Sequence, residues 1–381
     1  MGGDYATGEQ FVRLLGWRMN RCLMACFSVV ALTFVSAGSQ SVAEQQTYRM
    51  FSVVEQDALE QNLNRNAAEG FRVTAMSAGA NGNLTVLMRA VADGSGLFMY
   101  RVLYGDWGGK ENPLEFQMND LGAQGYSFVP GSVAQAHWSW SIVVMERAPR
   151  SSARYQFRIF SPRGGGSSTR FEREAANGQE NGFRVVFHGA TGEGPSTPME
   201  KRLGDTESGE PVNESHHFLD CSTKSVPKKV REETDRGYAP LLRSMWWSAS
   251  DINHVPWLQK VSDGPLRAIS VESKSGNPVP QKTALDDFLK EINAAAGEGL
   301  RMSASPAVFM YPAITFHAEY VWTFGAAMSQ SAEPGKVTYR LVYGDTLPDL
   351  AERVNAAADE GYRAVPNGLV SDVALLMEKP E

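Results

Sequence analysis

A glycine followed by a large apolar residue closes a helix-like stretch six times in this chain: Gly70-Phe71, Gly125-Tyr126, Gly182-Phe183, Gly237-Tyr238, Gly299-Leu300 and Gly361-Tyr362. Successive glycines stand 55 to 62 residues apart. Helices commonly end on a residue in the left-handed conformation, which glycine adopts without steric cost, and the apolar residue beyond it packs back on the last turn. Both members of the pair are accounted for in this way. A recurrence at nearly fixed spacing marks an internal repeat, and it constrains the fold more than any other feature here.

The residues around each glycine agree. Asp57-x-x-Glu60 and Thr169-x-x-Glu172 read as capping boxes or close variants. Asn112-Pro113-x-Glu115 places a cap before a proline at the first helical position. Ser225, Thr283 and Thr346 are expected to cap the other three helices. Helical spacing is carried by Leu59 and Leu63, by Leu285, Phe288, Leu289 and Ile292, and by Leu347, Leu350 and Val354. Strands are expected before the helices at 48–54, 100–104, 155–160, 218–221, 266–271 and 339–343. A short strand follows each glycine, as at 71–76 and 362–365. A closing strand ends on charge at Met88-Arg89, Met145-Glu146-Arg147 and Met377-Glu378-Lys379. Met199-Glu200-Lys201 reads as the same feature in the third copy, with little strand expected before it. The unit is β-α-β-β and the fold class α+β.

The copies alternate. Even ones carry Gly-Tyr with a proline nearby (Pro130, Pro240, Pro366), whereas odd ones carry Phe or Leu and then Arg72, Arg184 or Arg301. Arg363 in the sixth copy shows that the arginine alone does not separate the classes. Tyr100-Arg101-Val102-Leu103-Tyr104-Gly105-Asp106 matches Tyr339-Arg340-Leu341-Val342-Tyr343-Gly344-Asp345. The pattern implies one odd–even pair, triplicated into three pseudo-symmetric pairs. A unit of about 50 residues is marginal alone, whereas a pair of about 110 can bury a core. The expected domains are 44–150, 151–262 and 263–381. The middle one is the most divergent, with Gly164-Gly165-Gly166 and a polar insertion at 204–215. The unit resembles a small bacterial domain of unknown function in which a strand, a leucine-rich helix, a Gly-Trp-Glu turn and a closing hairpin follow in order. This chain has Phe, Tyr or Leu for the tryptophan and often Arg for the glutamate. The resemblance implies a fold and no activity, so no catalytic residue is carried over from it.

The first residues differ from the rest. Arg13, Arg18 and Arg21 precede an apolar run from Cys22 to Val35, and the small residues Val35-Ser36-Ala37 and Ser41-Val42-Ala43 follow. That order is a secretory signal peptide over 1–43, with cleavage after Ala43 or, alternatively, Ala37 and a start at Met1 or Met19. The run is shorter than the ~20 residues a spanning helix needs, so the mature chain is not expected to cross a membrane. Leu23-Met24-Ala25-Cys26 has the form of a lipobox, but most of the apolar run follows it and the export signal explains the same residues. Removing 1–43 takes away Arg13, Arg18, Arg21, Asp4 and Glu9, which moves the net charge from −7 to −8. A nucleic-acid footprint needs a basic face, so no nucleic-acid partner is expected. Of three cysteines only Cys221 survives cleavage, so no internal disulfide is expected and Cys221 reads as a small buried hydrophobe.

Candidate chemistry is sparse. Ser225-Val226-Pro227-Lys228 matches the Ser-x-x-Lys motif of penicillin-binding proteins, and Lys282-Thr283-Ala284 faintly echoes their Lys-Thr-Gly strand. The repeat register reads Ser225 and Thr283 instead as helix caps. His216 and His217 are consecutive on an expected strand and point to opposite faces, so they do not chelate one ion together. Asp106 and Asp345 stand at equivalent Tyr-Gly-Asp positions, where aspartate commonly turns the chain into a helix. Trp138 with Trp140, and Trp246 with Trp247, are the aromatic pairs suited to an interaction surface. No Walker loop, dinucleotide fingerprint, Gly-x-Ser-x-Gly elbow or His-Glu-x-x-His is present. The sequence therefore implies an exported, periplasmic or secreted binding or scaffolding protein without catalysis, cofactor or metal. Its expected partner is a protein or small molecule of the cell envelope. Trp138, Trp140, Trp246, Trp247, Asp106 and Asp345 are the expected binding residues. A hydrolase with Ser225 and Lys228 at a domain junction, and a small-ligand binding protein, stand as alternatives.

Overall fold

The computed structural model describes residues 47–381 apart from 54–55, 79–83, 92–96, 106–112, 130–133, 138–139, 161–167, 187–188, 192–193, 205–215, 219–220, 223–225, 241–252, 255–256, 261–265, 276–280, 303–306, 314–318, 331–335 and 372. The expected signal peptide and the polar insertion beyond Gly204 thus lie outside the described residues. Residues 45–381 make one compact unit of mixed α+β structure.

Strand, helix and closing strands recur in order. The first stretch is β1 (Tyr48–Val53), α1 (Gln56–Ala68), β2 (Phe71–Ala78) and β3 (Leu84–Ala90). The second is β4 (Met99–Gly105), α2 (Pro113–Ala123), β5 (Ser127–Phe128), β6 (Ala134–His137) and β7 (Trp140–Arg147). The third is β8 (Arg154–Phe160), α3 (Ser168–Glu180), β9 (Arg184–Val185), β10 (Gly189–Thr191) and β11 (Gly194–Leu203). The fourth is β12 (His216–Phe218), β13 (Cys221–Ser222), α4 (Val226–Thr234), β14 (Tyr238–Pro240), β15 (Asn253–His254) and β16 (Trp257–Lys260). The fifth is β17 (Arg267–Ser275), α5 (Lys282–Gly297), β18 (Leu300–Met302), β19 (Ala307–Ala313) and β20 (Glu319–Gln330). The sixth is β21 (Val337–Tyr343), α6 (Leu347–Asp359), β22 (Arg363–Ser371) and β23 (Ala374–Pro380).

Each stretch builds an antiparallel sheet with its closing strand in the middle, flanked by the strand before the helix and the strand after it. Thus β3 lies between β1 and β2, β7 between β4 and β5, and β23 between β21 and β22. Three of the sheets gain a further partner on the closing strand, from β6, β10 or β19. All six glycines of the repeat have φ between +78° and +92°, the left-handed end that the Gly-apolar pairs imply. Residues eleven, seven and three before the glycine face the core: Leu59, Leu63 and Ala67 in α1, and Phe288, Ile292 and Ala296 in α5.

The closing strands explain how the stretches stack. In β7, Ile142 and Val144 join the core that holds Leu59 and Leu63 of α1, while Val143 and Met145 join the core of α2. In β23, Leu376 packs with Phe288 and Ile292 of α5, while Leu375 and Met377 pack with Leu350 and Val354 of α6. Successive strand residues point to opposite faces, so these sheets are covered on both sides, by their own helix and by the preceding one. A strand buried on both faces reads as a continuous apolar run, as Ile142-Val143-Val144-Met145 and Leu375-Leu376-Met377 do. Correspondingly α1 packs on β4, α2 on β8, α3 on β12, α4 on β17 and α5 on β21. The last helix, α6, packs on β1.

Several expectations need correction. Gln281, not Thr283, is the N-cap of α5, and Thr283 lies inside the helix. Asp57 and Thr169 are likewise inside the first turns of α1 and α3. Met199-Glu200-Lys201 is preceded by real strand, because β11 begins at Gly194. Pro195 and Pro198 weaken the strand signal there, although β11 pairs with β8 throughout Thr197–Leu203. The strand expected at 218–221 is divided between β12 and β13, which join different sheets. Among the described residues no helix is long and apolar enough to cross a membrane.

Candidate functional site

The residues singled out in the sequence do not converge on one described site. Trp138, Trp246, Trp247, Asp106 and Ser225 lie outside the described residues. Trp140 opens β7 and pairs with His137, where β6 ends. Asp345 is exposed; its N–H donates to Asp349 Oδ2 at 2.8 Å, and Asp349 N donates to the Thr346 side chain at 3.3 Å. Thr346 thus caps α6 as expected, and Asp345 turns the chain into that helix. Arg353 donates to Asp349 Oδ1 at 2.8 Å and, with the Asp345 N–H, holds that carboxyl below its usual range. Lys228 of α4 is exposed and lies 3.8 Å from Glu232. His216 and His217 occupy successive positions of β12, opposite Gln259 and Leu258. Among the described residues no group of three His, Cys, Asp or Glu is placed to hold a metal.

Half-buried polar chemistry gathers instead where one helix meets the next sheet. Asn64 of α1 accepts the Tyr100 N–H at 2.9 Å and donates to the Tyr100 carbonyl at 3.0 Å. Asn119 of α2 does the same for Phe157, at 2.8 and 2.9 Å. Asn293 of α5 does so for Tyr339, at 2.8 and 2.9 Å. Asn355 of α6 does so for Tyr48, at 2.8 and 3.0 Å. The first strand lies on the edge of its sheet, so its outward N–H and C=O groups would otherwise face the helix unpaired. A side-chain amide offers one donor and one acceptor in the plane of the missing strand. Glu60 and Glu115 extend the pairing by accepting the Val102 and Ile159 N–H groups, at 2.9 and 2.8 Å.

The aromatic at the clasped position closes a second contact. The hydroxyls of Tyr100, Tyr339 and Tyr48 accept from the N–H groups of Val73, Met302 and Ala364, at 3.0, 3.0 and 2.9 Å. Tyr100 and Tyr339 belong to the sheet that follows the donor's own, whereas Tyr48, in the first sheet, accepts from the last. Phe157 has no hydroxyl, and there the buried Glu200 carboxylate accepts the Phe128 N–H at 2.8 Å instead. Burial raises all three tyrosines above the ordinary range, Tyr100 most, with the neighbouring Glu146 adding to its rise.

Glu146 is 5 % exposed and joins two of these contacts. It accepts from Tyr100 Oη at 2.8 Å and from Arg72 Nε at 3.0 and 3.1 Å. Arg184 meets Glu200 at 2.7 Å and Arg363 meets Glu378 at 2.8 Å as cross-strand neighbours within one sheet. Arg72 reaches across to the next sheet because its own cross-strand neighbour is Arg89. These groups tie neighbouring elements together, and each is satisfied by backbone or by an opposite charge. A nucleophile with an adjacent base is not among them.

The sequence reading missed the asparagines. Their signal is an Asn six residues before the repeat glycine, present at 64, 119, 293 and 355 and replaced by Ala176 and Arg231 in the third and fourth copies. Comparison of the chain with family models, curated proteins and solved structures finds no match.

Proposed function

We propose that this is an exported, non-catalytic binding or scaffolding protein of the cell envelope, built from six β-α-β-β units in three pseudo-symmetric pairs. The observation that carries the reading is the asparagine clasp repeated at four helix–sheet contacts. It supports a chain whose half-buried polar groups serve assembly of the array, leaving the outer surface for a partner. Stacked units make extended surfaces of that kind. The resemblance of the unit to a small bacterial domain that implies no activity fits the same reading. The partner is a protein or small molecule of the envelope, and Trp138, Trp140, Trp246, Trp247, Asp106 and Asp345 are the residues proposed to meet it. No cofactor belongs to this reading.

The test uses the full chain expressed in a Gram-negative host. Fractionation and N-terminal sequencing should recover a periplasmic form that begins at Glu44 or Gly38, whereas an intact cytoplasmic chain contradicts export. Ser225→Ala and wild type should be equally inert toward ester and lactam substrates. Hydrolysis by the wild type that the variant loses would replace the binding reading with an enzymatic one.

A further inference from the structure

We propose that the six units close head-to-tail into a ring, and that the contact between the last unit and the first is its latch. Each helix packs on the first strand of the following unit, and α6 packs on β1. The last contact uses the bonds of the internal ones. Asn355 holds Tyr48 as Asn64 holds Tyr100, and Ala364 N donates to Tyr48 Oη as Val73 N donates to Tyr100 Oη. One core joins Tyr48, Ala75 and Leu87 to Leu350, Val354 and Met377 across this contact. A head-to-tail contact repeated between equivalent units either runs on as a filament or closes when the rotation allows. Here the partner of the sixth unit is the first unit of the same chain.

The latch differs from the five internal contacts in one respect, since no short stretch of chain ties its two sides together. A short tether holds neighbouring units at millimolar effective concentration. When an internal contact loosens, its tether brings the units back; when the latch loosens, they separate. A separated α6 face and β1 edge are complementary to those of a second copy, so an opened ring pairs with another chain through the same bonds.

The chain ends permit a direct test. Tyr48 opens the first strand, and Ala364, which reaches it, belongs to the sheet whose closing strand ends at Pro380. A permuted chain joins Glu381 to Gln45 through a ten-residue Gly/Ser linker and takes new ends within 92–96. It should fold as a monomer with a melting temperature within a few degrees of wild type. In the natural chain Asn355→Ala should open its contact, read as amide exchange at Ala364 at least tenfold faster, and Asn64→Ala should speed exchange at Val73 far less. In the permuted chain the two variants should exchange behaviour, because the untethered contact has moved. Equal acceleration at Ala364 and Val73 in the two natural-chain variants overturns the latch. A permuted chain that does not fold is set against amide exchange in the natural chain. There, an unprotected Ala364 amide overturns the ring, and a protected one that Tyr48→Ala exposes upholds it.

Discussion

Asn355 in the last helix holds both backbone polar groups of Tyr48 in the first strand, across 307 residues of chain. The same amide pairing joins Asn64 to Tyr100 across 36 residues, so sequence distance makes no difference to the contact. What the four clasps share is an edge strand that needs a partner and a helix that supplies one through a side chain.

Replacement of Asn64, Asn119 or Asn293 by alanine should lower stability by about 1–3 kcal/mol, the cost of leaving partly buried backbone groups unpaired. Asparagine to aspartate at the same positions should cost more at neutral pH, because the carboxylate keeps the acceptor, loses the donor and faces a carbonyl oxygen. Urea unfolding of the variants reads both effects. Changes below a few tenths of a kcal/mol in all three alanine variants would remove the clasp from the account.

Arg72 and Glu146 are expected to respond unequally. Glu146 is buried, so Arg72→Ala strands a carboxylate away from water, whereas Glu146→Gln leaves a half-exposed guanidinium that solvent accepts. Arg72→Ala should therefore be the more harmful change, by about 1–2 kcal/mol after allowance for screening at the exposed arginine. The order of the two melting temperatures checks this.

Gly70 and Gly122 make a contrasting pair. At Gly70 a Cβ meets nothing within 4 Å, but φ is +88°, so Gly70→Ala should cost about 1–2 kcal/mol through the backbone alone. Gly122 sits inside α2, where alanine would ordinarily stabilise by about 0.5–1 kcal/mol. There a Cβ would collide with the Tyr155 carbonyl oxygen and stand 2.8 Å from the Phe157 ring, so Gly122→Ala should destabilise instead. Asparagine, which tolerates the left-handed region, should recover part of the loss at Gly70 and none at Gly122.

The buried tyrosines set a limit on alkaline stability. Burial raises the folded-state value of Tyr48, Tyr100 and Tyr339 above the unfolded value of 10.0. Their contribution is therefore whole below pH 10 and is lost as pH rises beyond it toward the folded values. Melting temperature against pH should fall above pH 10 in the wild type. It should fall less steeply when Tyr100 becomes phenylalanine, although that variant starts lower because the Val73 N–H loses its acceptor.

How much of this was legible in the chain depends on how local each cause is. The glycines were readable because a left-handed helix end is decided by the residue that occupies it. The core positions Leu59, Leu63, Phe288, Ile292, Leu350 and Val354 were readable from helical spacing. The motifs Arg184, Arg363, Glu200 and Glu378 were visible too, but not that they pair across strands. The asparagines were hidden for a different reason. A polar residue on a helix reads as a solvated face, and only the docking of the next sheet reveals Asn64 or Asn355 as a bridge. Thr283 failed as a cap because the capping pattern tolerates a shift of a residue or two, which only the hydrogen bonds resolve. The tryptophans expected to bind a partner gain no support from packing, since Trp138, Trp246 and Trp247 lie outside the described residues.

The closed arrangement is tested most directly by hydrogen exchange at the Tyr48 amide in the intact mature chain. The account predicts slow exchange there, comparable to that of the Tyr100 amide, and its acceleration by Asn355→Ala while Tyr100 is unaffected. Exchange of the Tyr48 amide at the rate of an unstructured peptide, with Tyr100 protected, would contradict it.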